Sequence, residues 1–171
     1  VDATPAATYD AAAALDFMTV RTPLLVASMF VRDLPARLRG RAVEPPPELR
    51  LLGANGPALP GWLLLGVEED HEIAFGAVGR FWEPDIEWRD VALEDFPRFA
   101  EPGWGKIGCH LLVRPDGPGR TVLTYECRVA STDEEARRKM ARYWVLIRPF
   151  VGHIMRATLR TIARDAEVLR L

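Results

Sequence analysis

Little in this sequence announces a reaction. Its 171 residues contain two cysteines and three histidines, with neither a CxxC pair nor a Cys/His cluster, which excludes a disulfide framework and a zinc module. An HExxH pair, a Gly-rich phosphate loop and a defensible Ser–His–Asp order are also missing. No metal, cofactor or catalytic residue is therefore expected. The longest apolar run, Pro23 to Phe30, falls well short of the roughly 20 residues that a membrane span needs. A formal net charge of -2 provides no global basic field to attract nucleic acid. The alanine-rich start, "VDATPAATYDAAAALDF", carries acids and no basic region, so it is not read as a signal peptide. A cytoplasmic protein is the expectation.

The composition is 49% hydrophobic and 27% charged, as in an ordinary globular chain. A chain of this length fits one domain over residues 1–171, able to bury roughly 70% of its unfolded surface. Thr4 as cap and Pro5 at the first helical position predict a helix over Thr4–Phe17. Thr22 and Pro23 open a second short helix by the same signal. The Pro-rich stretch Glu44–Gly61 cannot continue a helix or a central strand, and reads as a surface insertion or an entrance loop.

From Trp62 the period becomes two. A hairpin turning at Glu69–His71 is expected, with Leu63, Leu65 and Val67 on one face with Ile73, Phe75 and Ala77. "DIEWRDVAL" supplies a short strand, and two longer strands span Lys106–Val129. On these, Ile107, Cys109, Leu111, Val113, Leu123, Tyr125, Cys127 and Val129 share an apolar face, while Lys106, His110, Thr124, Glu126 and Arg128 share the other. Pairing Leu111 with Leu123 keeps the faces consistent, because a one-residue slip would turn every apolar group outward. That pairing places Lys106 opposite Arg128, with Glu126 diagonal to both.

The last third carries the strongest pattern. Thr132-x-x-Glu135 reads as a capping box. After it, Ala136, Met140, Tyr143, Trp144, Ile147, Val151, Ile154, Met155, Leu159, Ile162, Ala166 and Leu169 recur at helical spacing. Arginines 137, 138, 142, 156, 160 and 164 and Lys139 lie opposite. Pro149 should kink this helix or split it after Arg148. The apolar stripe must be buried against the sheet.

Helices, antiparallel strands and a long C-terminal amphipathic helix make an α+β domain in which a curved sheet wraps its last helix. With "GRFWEP" (Gly79–Pro84), "FAEPGWGKIG" (Phe99–Gly108), "TYECRVASTDEEARRKMARYW" (Thr124–Trp144) and "IRPFVGHIMR" (Ile147–Arg156), the chain resembles an uncharacterised bacterial branch of the START-like, or SRPBCC, helix-grip superfamily (Bet v 1-like). That resemblance implies a cavity between sheet and helix for a lipid, polyketide or aromatic molecule. The residues placed there are Phe75, Ala77, Phe81, Ile107, Cys109, Leu111, Leu123, Tyr125, Cys127, Tyr143, Trp144, Ile147 and Arg148.

Each of these residues also has a plainer role. Aromatic stripes usually pack cores, buried thiols are usually inert, and Arg148 serves equally as an anion partner or a helix cap. A disulfide between Cys109 and Cys127 is geometrically conceivable. Binding of a small hydrophobic molecule is the leading expectation. A polyketide cyclase using the same cavity and a protein-interaction module using the arginine-rich helix face are the alternatives. A homodimer is left open.

Overall fold

The computed structural model describes residues 1–17, 20, 50–52 and 61–169. The helix expected from Thr22, and most of the Pro-rich stretch, lie outside the described residues.

Alternating residues build the sheet. Strands β1 (Trp62–Glu68) and β2 (Glu72–Arg80) form the expected hairpin around Glu69–His71. Its middle residue Asp70 takes a left-handed φ of 61°, a conformation Asp tolerates better than most residues. Val67 pairs with Ile73 as expected, but Leu64 pairs with Phe75 and Gly66 with Ala74, which leaves Leu65 as a bulge. Trp62 and Leu64 therefore take the inner face, in place of Leu63 and Leu65. A run of four apolar residues, Trp62 to Leu65, gives no alternation from which such a bulge could be read.

Strand β3 (Glu87–Trp88) continues the β1 edge along the end of β2, pairing Gly79 with Trp88. Strands β4 (Gly105–Pro115) and β5 (Thr121–Ser131) complete an open antiparallel sheet in the order β1-β2-β4-β5. Leu111 faces Tyr125 and Cys109 faces Cys127, so the register differs by two residues from the Leu111–Leu123 pairing. Lys106 accordingly faces Ala130, not Arg128. The connection sets this register: Asp116 N–H bonds Arg120 C=O at 2.9 Å, while Gly117 and Gly119 supply the positive φ angles of the turn. A shift of two preserves which side each residue faces.

Helix α1 (Pro5–Ala13) starts as expected, with Thr4 Oγ1 accepting from Ala7 N–H at 3.3 Å. It ends earlier than the alanine run suggested. Helix α2 (Glu134–Leu169) runs through Pro149 without a break. Its cap is Asp133, whose carboxylate accepts from Ala136 N–H at 2.8 Å and also from Gly103 N–H. Thr132, the expected cap, instead fastens the Trp104 backbone, accepting from its N–H and donating to its carbonyl, each at 3.0 Å.

The core lies on the inner face of the sheet. Ile73, Phe75, Leu111 and Val113 pack with Tyr9, Ala11 and Leu15 around α1 and with Ala157, Ile162 and Ala166 of α2. Each large apolar side chain buried this way contributes about 1.5–3 kcal/mol. A smaller cluster, Ala77, Phe81 and Met140, holds the first half of α2. The long helix thus docks on the apolar side of the sheet, as its stripe required.

Candidate functional site

Helix α2 is held tightly at its ends and loosely in its middle. Ala136 and Met140 are buried near its start, and Ala157, Thr158, Ile162 and Ala166 beyond its centre. Between them Tyr143, Trp144, Ile147, Val151, Ile154 and Met155 are only half-buried. On the outward side Val145 is 80% exposed and Leu146 72% exposed. At the far end of the stripe Leu169 is exposed, not buried as its spacing suggested.

Two open clefts flank this stretch where α2 passes β5, the last strand of the sheet. The first encloses about 530 Å³, with Trp144, Val145, Pro149, Val151 and Met155 as its apolar wall. Cys127 reaches it from β5, Gly152 leaves room, and Arg148 and Arg156 border it, the Arg156 guanidinium lying beside Gly152. Neither arginine forms an ion pair among the described residues, whereas Arg137, Lys139 and Arg164 are paired with Glu134, Glu135 and Asp165. The second cleft, about 510 Å³, lies toward the start of the helix and shares Cys127 and Trp144 with the first.

The residues expected around one cavity are divided between core and clefts. Phe75, Ala77, Phe81, Cys109 and Leu111 are buried in packed clusters. Ile107, Leu123, Tyr125 and Cys127 pack against the main core, half-buried. Tyr143 rests on the Ala77–Phe81–Met140 cluster, and Ile147 is half-buried. Only Cys127, Trp144 and Arg148 line the first cleft. Val145, Pro149, Gly152 and Arg156 were not expected there. Val145 falls between stripe positions, and Arg156 sits on what the wheel assigns as the solvated face, so periodicity alone gives no signal for either.

Cys109, Tyr125 and Cys127 meet below the cleft. Hydrogen bonding between the thiols, with burial added, pushes Cys109 up, and the same bond lowers Cys127 against the opposing effect of its partial burial. Burial chiefly, then the neighbouring sulfurs, raises Tyr125.

The opposite face of the sheet carries the charges. His110 lies between Glu72 and Glu126, bonding Glu72 through Nδ1 and Glu126 through Nε2 at 3.3 Å. Arg128 Nε donates to Glu126, and together with His110 it holds that carboxyl below its ordinary range. Lys106 donates to the Phe96 and Pro97 carbonyls, fastening that loop against the sheet. Arg128 is 81% exposed, so this is a solvated lattice whose pairs are screened by water and add little to stability. Glu87 and Glu101 are paired with Arg80 and Arg89.

No protein-family model matches the chain, and no curated protein or solved structure matches it either. A sheet packed against a long C-terminal helix is compatible with a helix-grip fold. No helix among the described residues is long and apolar enough to cross a membrane.

Proposed function

We propose that this chain binds a small amphipathic anion in the cleft between β5 and the middle of α2, as a START-like binding protein of the SRPBCC kind. The observation that carries this reading is an apolar wall, Trp144, Val145, Pro149, Val151 and Met155, bordered by Arg148 and Arg156. Its volume lies within the roughly 300–1,000 Å³ usual for small-molecule sites. The apolar tail would lie against the wall, and each buried methylene, at about 0.8 kcal/mol, strengthens binding about fourfold. The guanidiniums would orient the head group through charge-assisted hydrogen bonds.

Cyclase chemistry requires a group that moves protons in the pocket. The titratable side chains of this cleft are Cys127, Arg148 and Arg156, which favours binding over catalysis. A second reading, a partner-docking surface on α2, rests on the exposure of Val145 and Leu146.

The test titrates purified protein with saturated fatty carboxylates of increasing length and with alcohols of the same lengths, following tryptophan fluorescence. Binding should tighten with chain length, favour the carboxylate, and weaken at least tenfold in the Arg148→Ala, Arg156→Ala double variant. Equal affinity for acid and alcohol, or no binding of either, overturns the proposal. A Leu146→Glu variant, changed outside the wall of the cleft, that keeps binding the carboxylate but loses self-association or partner capture would support the second reading.

A further inference from the structure

We propose that Cys109 and Cys127 are a reversible dithiol modification site in the wall of the cleft, taking a small-molecule disulfide as oxidant. The proposal stands apart from the ligand reading. It begins with register, since the two cysteines are direct partners on β4 and β5. Antiparallel partners come in two kinds, and three hydrogen bonds show which kind this is. Val113 N–H bonds His71 C=O at 2.7 Å, toward β2. Alternate residues of a strand aim their backbone groups to the same side, so odd-numbered residues of β4 bond β2 and even-numbered ones bond β5. At the two ends of the β4–β5 pair, Asp116 N–H bonds Arg120 C=O and Thr132 N–H bonds Trp104 C=O, both in the even register.

Cys109 and Cys127 are therefore a non-hydrogen-bonded pair, the closer kind, with Cα atoms about 4.5 Å apart rather than about 5.5 Å. That separation lies inside the roughly 4.4–6.8 Å span of disulfides, near its short limit. A bond made there is strained, and strained disulfides are the readily reduced ones. Access is asymmetric. Cys127 is half-buried and lines both clefts, whereas Cys109 is 6% exposed.

The roles follow from this asymmetry. The Cys127 thiolate attacks one sulfur of the small disulfide, forming a mixed disulfide and releasing one thiolate. Cys109 then gives its proton to the released small thiolate and attacks Sγ of Cys127, breaking the mixed disulfide and expelling the second thiolate, which takes a proton from water. One dithiol and one disulfide become one protein disulfide and two small thiols, and excess small thiol reverses both steps.

The experiment exposes the native full chain to oxidised glutathione, traps free thiols by alkylation, and measures intact mass before and after excess reduced glutathione. The expected product has lost two hydrogens, carries no alkyl group, and yields a Cys109–Cys127 peptide on digestion. Reduced glutathione should restore double alkylation. Cys109→Ser should stop at a glutathione adduct on Cys127, and Cys127→Ser should leave Cys109 unmodified over the time that fully oxidises the wild type. Two thiols still alkylated, a stable mixed disulfide in the wild type, or a disulfide that reduced glutathione fails to open would each overturn the proposal. The peptide from wild-type protein decides the matter even if a variant fails to fold.

Discussion

Gly76 and Gly108 face each other across β2 and β4, yet alanine at each should have opposite consequences. A Cβ at Gly76 would stand 2.8 Å from the Ile107 carbonyl oxygen, 2.8 Å from Phe96 Cζ and 2.9 Å from Leu65 Cδ1. At Gly108 it would meet nothing within 4 Å. Neither residue has a positive φ, so alanine fits both backbones and should gain about 0.4–1 kcal/mol by restricting the unfolded chain. At Gly76 overpacking costs about 1–3 kcal/mol, because the crowded oxygen belongs to a neighbouring strand and cannot swing aside as a side-chain tip can. Gly76→Ala should therefore destabilise by about 1–2 kcal/mol, and Gly108→Ala should stabilise by about 0.5–1 kcal/mol. In Tm these are a fall of roughly 2–8 °C and a rise of roughly 1–4 °C. Urea denaturation with an unchanged m-value reads both. A Gly76→Ala protein as stable as the wild type would refute the packing of Leu65 and Phe96 over the outer face, and with it the β1 bulge.

Thr158 is fully buried and its Oγ1 has no hydrogen-bond partner among the described residues, so Thr158→Val should remove an unmet polar group and raise stability by about 1 kcal/mol, or roughly 2–4 °C in Tm. Unchanged or lower stability by calorimetry would mean that the hydroxyl is satisfied. Asp133 is held below its ordinary pKa of 3.8 by the N–H groups of Ala136 and Gly103. Its contribution is complete above the ordinary Asp range and disappears as pH falls through the lowered folded value. Asp133→Ala should lower Tm at neutral pH and flatten the acid limb of the Tm–pH curve; parallel curves would contradict this.

The patterns that reached the surface of the sequence were those with a single period. Thr4 and Pro5 marked the start of α1, the Glu69–His71 turn marked the first hairpin, and alternation along β4 and β5 sorted Cys109, Leu111 and Tyr125 from His110 and Glu126. The stripe of α2 marked a helix docked on the apolar side. What escaped depended on neighbours. The bulge at Leu65 lay in an unbroken apolar run, and the Asp133 cap was displaced from Thr132 because Trp104, 28 residues away in sequence, occupies that hydroxyl.

The clefts belong to the same category. Periodicity predicted that Phe75, Leu111, Tyr143 and Ile147 turn inward, but said nothing of how much space remained once they did. By itself the sequence determined the elements, their faces and the α+β order, because those follow from local spacing and the burial of apolar side chains. Tertiary structure alone decided that α2 closes tightly over the sheet at its ends and stands open beside β5 at its middle. That outcome depends on how volumes from distant segments fill one space, a quantity no single stretch of chain contains.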